Sequence, residues 1–291
     1  MINQSIFKTP AGERAVMALY DSMLERWPVP CDMFSVSTRH GVTFTIASGN
    51  QSAPPLILLH GAGSNSLTWA SDVIQYSQQY RVFAVDLLGE PGRSAPNRPA
   101  WDSLAYAEWL EDVLDALRID KAALIGFSQG GWTAIKYAVY QPTRVEKLVL
   151  LSPGGIVPDK LSFVFQAIPL ALMGRWGVRR VNQMLVAGQA ISAEVDDALA
   201  LIMTHFKTRI GALPIFHDAE LQALHMPVLL LMGDQDVLRD ARKISARMRQ
   251  QVHQLSVTII PKGGHALMNT TKYILPFLSA PLLNGRLSYE R

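Results

Sequence analysis

The stretch Ala122-Ala123-Leu124-Ile125-Gly126-Phe127-Ser128-Gln129-Gly130-Gly131 reads as a buried strand that breaks sharply into a helix, with a serine at the corner. Glycines at 126 and 130 let the backbone turn tightly and let strand and helix approach, leaving the Ser128 hydroxyl above the sheet. A G-x-S-x-G pattern arises by chance in about one chain in ten of this length, so its context has to carry the weight. That context is an apolar strand before the serine and a helical run from Trp132 to Tyr140 after it, stopped by Pro142. Ser128 is therefore read as a nucleophile, in preference to a structural glycine-serine turn.

Working outward, short apolar runs alternate with longer helical ones. A helix from about Ala11 to Arg26 comes first, then a hairpin of Phe34–Ser37 and Val42–Ile46 around Arg39-His40-Gly41. Strands follow at Leu56–Leu59, Val82–Val85, Ala122–Phe127 and Lys147–Leu151, with helices expected near Ser66–Tyr76, Ser103–Leu117 and Ser128–Tyr140. Strand and helix resume at Val228–Met232, Ala241–Met248, Leu255–Ile260 and Leu267–Leu278. Such alternation predicts an α/β fold: a mostly parallel, doubly wound sheet of about eight strands with helices on both faces, whose strands are continuous apolar runs because both sides are covered. Between Ser152 and His225 the alternation lapses into helical periodicity rich in Met and aromatic residues, among them Phe163, Phe165, Met173, Trp176, Phe206 and Phe216. Residues 153–225 are expected to be an inserted helical cap whose Met and aromatic side chains shape an adaptable apolar pocket, with 1–152 and 226–291 forming the core. The tail from Leu282 to Arg291 is expected to fray.

Of the 291 residues, 49% are hydrophobic and 18% charged, as suits a globular chain with a sizeable core. The single cysteine, Cys31, cannot form an internal disulfide, and Met1 to Arg14 lacks the uninterrupted apolar core of a secretion signal, so residence in the cytoplasm is the expectation. The most apolar run, Leu161 to Met173, is interrupted by Gln166 and Pro169 and is too short to span a bilayer. A net charge of +3 spread over scattered Lys and Arg is not a nucleic-acid footprint, and the local cluster Arg175, Arg179 and Arg180 reads as a solvated helix face.

In a doubly wound sheet the functional groups sit on loops at the carboxyl ends of strands. Four strand ends carry candidates: His60-Gly61-Ala62-Gly63, Ser128, Gly233-Asp234-Gln235-Asp236 and Gly263-Gly264-His265. A serine needs a positioned base, and imidazole titrates near working pH. His265 suits that task because its Gly-Gly turn can aim the ring across the sheet edge. His205, His217 and His225 lie in or beside the insertion, and His253 precedes the last strand. The imidazole in turn needs a carboxylate to fix its tautomer. Asp236 is favoured over Asp234, which reads as a turn residue bonding nearby backbone. The backbone amides of Gln129 and Ala62 are placed to bind an oxyanion, and His60 reads as a structural hydrogen-bonder beneath its loop. No histidine has metal-ligand spacing, and the chemistry calls for neither metal nor cofactor.

Taken together these residues resemble the α/β-hydrolase superfamily from about Phe34 to Leu278. Within it the chain is similar to the bacterial carboxylesterases that include the naproxen-ester hydrolases of bacilli. The supporting stretches include Trp27-Pro28-Val29, Ser37-Thr38-Arg39, Ile46-Ala47-Ser48-Gly49 and Pro54-Pro55-Leu56-Ile57-Leu58-Leu59-His60-Gly61-Ala62. The loop Asp86-Leu87-Leu88-Gly89-Glu90-Pro91-Gly92-Arg93-Ser94 is one residue longer than the G-x-G-x-S loop of the wider superfamily. The resemblance implies an α/β-hydrolase fold, a triad of Ser128, Asp236 and His265, an oxyanion hole at Ala62 and Gln129, and hydrolysis of small to medium carboxylic esters. Carbon–carbon bond hydrolysis, lactone hydrolysis or perhydrolysis by the same triad are the enzymatic alternatives, and a ligand-binding or signalling protein on the same frame is the non-enzymatic one.

Overall fold

The computed structural model describes residues 5–209, 211–283 and 286–287. Strands β1 (Cys31–Thr38) and β2 (Gly41–Ser48) form the expected hairpin, and β2 pairs antiparallel with β4 (Arg81–Val85). From β4 onward every pairing is parallel, through β3 (Pro55–Leu59), β5 (Ala122–Phe127), β6 (Val145–Leu151), β7 (Val228–Gly233) and β8 (Leu255–Ile260). The resulting order is β1-β2-β4-β3-β5-β6-β7-β8. Strand succession reverses direction between β3 and β5, and the crevice at their carboxyl ends is the topological switch point where such sheets bind ligands.

Burial on both faces explains the apolar runs. Along β3, Ile57 and Leu59 join a cluster containing Trp109, Leu110 and Val113, while Leu56 and Leu58 point the other way into a cluster with Trp69, Tyr76 and Ile274. The first face is covered by α3 (Ala105–Ala116), α4 (Gln129–Tyr140) and α9 (Ala241–Gln251); the second by α1 (Pro10–Leu24), α2 (Val73–Tyr76) and α10 (Thr271–Ser279). Each fully buried Leu or Ile contributes roughly 1.5–3 kcal/mol, and a one-residue slip would turn every one of them to the opposite face, so the pleat's two-residue period fixes the register.

Helix α1 starts where its residues dictate: Thr9 caps it by accepting from the Gly12 amide at 3.0 Å, and Pro10 occupies the first turn. The helix expected near Ser66–Tyr76 is broken. It is a 3-10 turn at Ser66–Trp69 followed by the single turn of α2, because the Asn65 side chain caps at Leu67 and Asp86 captures the Ser66 amide and hydroxyl. The last helix begins at Thr271, four residues later than the sequence suggests. Of the expected frayed tail, Leu282–Leu283 pairs antiparallel with Arg286–Leu287, and the remaining residues lie outside those described.

Between β6 and β7 lie α5 (Leu161–Leu172), α6 (Gly174–Leu185), α7 (Ala193–His205) and α8 (Asp218–Gln222), with no strand of the main sheet among the described residues. Phe216, Leu221 and Leu224 belong to the main core cluster, whereas Ile202 and Phe206 pack against Ile6, Phe7 and Val16, tying α7 to the amino-terminal segment. Several of the Met and aromatic residues expected to shape an apolar pocket are instead exposed. Leu161, Phe165, Ile168 and Leu172 form an outward stripe at helical spacing on α5, continued by Met173 and Trp176, all exposed. Periodicity reveals that such a stripe exists but not which way it faces. Arg175 and Arg179 are exposed and pair with Asp197 on α7, as a solvated helix face does. Among the described residues no helix is long and apolar enough to cross a membrane.

Candidate active site

Ser128 sits at the turn from β5 to α4 with φ +52°, a backbone conformation that side-chain-bearing residues rarely adopt and that costs about 1–3 kcal/mol. The surroundings hold it there. Its amide donates to Leu151 O at 2.9 Å, and its carbonyl accepts from Trp132 N at 3.0 Å and Gly154 N at 3.2 Å. The two flanking glycines are required sterically: a Cβ at Gly126 would lie 2.5 Å from Gly130 O, and one at Gly130 only 2.1 Å from Leu59 O.

The His265 ring connects two of the other strand ends. Its Nε2 lies 3.0 Å from Ser128 Oγ and its Nδ1 lies 3.0 Å from Asp236 Oδ2. The other oxygen of Asp236 accepts from the amides of Leu238 at 2.8 Å and Arg239 at 2.9 Å. Burial pushes the Asp236 carboxyl upward, but hydrogen bonds from His265 and from the Arg239 and Leu238 amides outweigh it and hold the group below its ordinary value. An ionised Asp236 accepts a hydrogen bond from Nδ1–H, which leaves the Nε2 lone pair facing the serine hydroxyl. Asp234, by contrast, is exposed, while Asp236 is 1% exposed. The loops bearing Asp236 and His265 are stitched together by Gln235 N to Gly263 O at 2.9 Å and Asp234 N to Ile260 O at 3.2 Å.

The remaining sequence candidates also find places. Gln129 is the first residue of α4, and amides in a helix's first turn have no intrahelical acceptor. The loop carrying Ala62 runs beside the serine, since a Cβ on Gly61 would lie 3.5 Å from Ser128 Cβ. His60 is fully buried, approaches Gly61 O through Nδ1 at 2.8 Å and accepts from the Leu87 amide at Nε2, 2.9 Å. Burial pushes its pKa down, which suits a neutral structural ring. His205 packs on Gly12 of α1, His217 precedes α8, and His253 is exposed, so none of these reaches Ser128. Among the described residues no three His, Cys, Asp or Glu side chains cluster as a metal ion would require.

Segments between β6 and β7 contact the loops that carry Asp236 and His265. Ala266 N donates to Leu185 O at the end of α6 at 3.0 Å, and the Lys160 ammonium donates to Asp236 O at 2.6 Å. Arg239 forms an ion pair with Asp159. Ser128 is only 8% exposed and His265 5%.

Sequence reasoning did not single out Glu90. Its carboxylate is 3% exposed and accepts from Gly63 N at 2.7 Å through one oxygen and from Gln129 Nε2 at 3.1 Å through the other. Burial raises its pKa to about 7, even though the Gly63 and Gln129 donors and the nearby Arg98 and Arg209 guanidiniums pull it down. The signal that could have exposed it is the extra residue in the Gly89-Glu90-Pro91-Gly92-Arg93-Ser94 turn.

The chain is similar to known proteins along most of its length. Residues 56–273 match the profile of the family described as "Alpha/beta hydrolase family". The chain is 34% identical over 257 residues to an uncharacterized carboxylesterase, nap, of Bacillus subtilis, covering 85% of each chain. It is 31% identical over 267 residues to carboxylesterase YbfK of the same organism, covering 85% of this chain and 86% of that one. The solved structure of naproxen esterase from Bacillus subtilis superposes with a TM-score of 0.84 at 28% identity, over 94% of this chain and all of the other. On the extent of the family match and of these full-length similarities, the chain belongs to the alpha/beta hydrolase family.

Proposed function

We propose that this protein is a serine carboxylesterase that cleaves small to medium carboxylic esters through an acyl-enzyme intermediate, with Ser128 as nucleophile, His265 as base and Asp236 as its orienting acid. The observation that carries the reading is the unbroken line Ser128 Oγ, His265 and Asp236, with 3.0 Å at each link. Ser128 attacks the ester carbonyl as His265 Nε2 takes its proton. The tetrahedral oxyanion is received by the amides of Ala62 and Gln129, and His265 returns the proton to the leaving alcohol. Water then repeats the sequence on the acyl-enzyme and releases the acid. Removing one oxyanion donor typically costs about 100- to 1,000-fold in turnover.

Residues 153–225 act as a cap in this reading, and the small ester enters beneath it. The carboxylesterases similar to this chain support the substrate class. A fold that needs no disulfide is in keeping with a cytoplasmic site of action. Ser128→Ala is expected to abolish hydrolysis of p-nitrophenyl butyrate and labelling by a fluorophosphonate while leaving the circular dichroism spectrum unchanged. Retained turnover in a purified variant overturns the assignment.

A further inference from the structure

We infer that Glu90 is a positioning residue for the oxyanion hole, a single buried carboxylate that ties the loop bearing Ala62 to the start of the helix bearing Gln129. The inference rests on the proposed esterase reading and deepens it. The two amides proposed to receive the oxyanion come from different segments, one after β3 and one after β5. Their separation has to be held within a few tenths of an ångström for both to reach one oxygen. Ala62 is immediately followed by Gly63, whose amide donates to Glu90 Oε2 at 2.7 Å. The side chain of Gln129 itself donates to Glu90 Oε1 at 3.1 Å. One planar group thus fixes both segments, each through its own oxygen.

The anchor is itself held. It lies in the turn between Asp86 and Ser94, and Asp86 is fixed by Tyr20, Ser66 and the Arg93 amide. Asn65, two residues beyond Gly63, donates to the neighbouring Pro91 O at 2.9 Å, a second stitch between the same two loops. The charged and titratable groups facing Glu90 are Arg98 of its own loop, Arg209 of the insertion and Tyr106 of α3. The guanidiniums are committed to structural acceptors: Arg98 to Gly89 O and Lys207 O, Arg209 to Tyr106 Oη and Pro99 O. They offset the field of a carboxylate so near a developing oxyanion. A buried acid breaks the rule that such groups are excluded from interiors, and exceptions of this kind concentrate at functional sites.

The test measures kcat and KM on p-nitrophenyl butyrate for the wild-type chain and for Glu90→Ala, Glu90→Gln, Gln129→Leu and Ser128→Ala. Glu90→Ala severs both ties and is expected to lower kcat about 10- to 100-fold, with KM within threefold, a displaced donor costing less than a deleted one. Affinity for a trifluoromethyl ketone, which binds as the oxyanion adduct, is expected to fall in parallel with kcat. Glu90→Gln can accept from Gly63 N and meet a turned Gln129 amide, so it is expected to recover to within about fivefold of wild type. If Glu90→Ala does not fold, Gln129→Leu, which keeps its backbone amide and cuts one tie, carries the prediction with a kcat loss of about 3- to 10-fold. Wild-type kcat in Glu90→Ala, a loss confined to KM, or Glu90→Gln no better than Glu90→Ala overturns the inference. An active Ser128→Ala would instead overturn the esterase reading, so the two failures are separable.

Discussion

Replacing Asp236 with asparagine tests the site most sharply, because the structure dictates which way the new amide must face. Asp236 Oδ1 accepts two backbone amides at 2.8 and 2.9 Å, and Oδ2 faces His265 Nδ1 at 3.0 Å. The asparagine oxygen has to occupy the Oδ1 position. The reverse orientation would aim its NH2 at two N–H donors and leave them unsatisfied, at about 1–3 kcal/mol each. The NH2 group therefore faces Nδ1, which must become the acceptor. The imidazole proton moves to Nε2, toward the Ser128 hydroxyl, where a base is needed. The imidazole is then in the wrong tautomer, a fault that costs about 10,000-fold in turnover in hydrolase triads, or about 5 kcal/mol of transition-state stabilisation. The assay is kcat/KM on p-nitrophenyl butyrate for Asp236→Asn beside Asp234→Asn, with active enzyme titrated by a fluorophosphonate. Asp234 is exposed, and its variant is expected within twofold of wild type. A loss below tenfold in Asp236→Asn, or a larger loss in Asp234→Asn, refutes the reasoning.

Two stability measurements probe the same neighbourhood. Gly130→Ala places a Cβ 2.1 Å from Leu59 O, so α4 must move off β3, and chemical denaturation should report a loss of about 1–3 kcal/mol; an unchanged midpoint would show that the close approach is not needed. Glu90 has its carboxyl raised from 4.5 to about 7 in the folded chain, so the folded state binds more protons than the unfolded one across that window. Stability associated with this group is present below 4.5 and lost as pH rises through about 7, a difference of about 3 kcal/mol at 1.36 kcal/mol per pH unit. Glu90→Gln should gain on wild type between pH 5 and pH 8 by an amount of that order; a stability difference independent of pH would contradict the burial argument.

Strand-end logic made much of the site legible. Ser128 and His265 each follow an apolar run, and the structure puts them at the carboxyl ends of β5 and β8, joined through the imidazole. Turn geometry and the resemblance both favour Asp236 over Asp234, and in the fold burial and the 3.0 Å approach to His265 Nδ1 separate them. Glu90 stayed hidden for a physical reason. Its partners stand 27 and 39 residues away, and a carboxylate in a glycine-rich turn normally signals solvent. The broken helix after Asn65 was obscured similarly, because the Asp86 side chain that captures Ser66 arrives from the far end of β4. The outward apolar stripe of α5 has the same spacing that an inward one would have, so only three-dimensional context distinguishes them.

The order of the strands has a further consequence. Ser128 hangs from β5, with a neighbour on either side, whereas His265 hangs from β8, the last strand of the sheet, bonded to β7 alone. Native proteins open locally, and edge elements open at lower free energy than central ones. The proposed triad thus joins a central strand of the sheet to one at its margin. Catalysis can be interrupted by fraying of one margin while the interior stays folded. On warming, turnover is therefore expected to fall before the circular dichroism signal of the whole molecule, and coincident loss of the two would count against opening of the seam between β7 and β8.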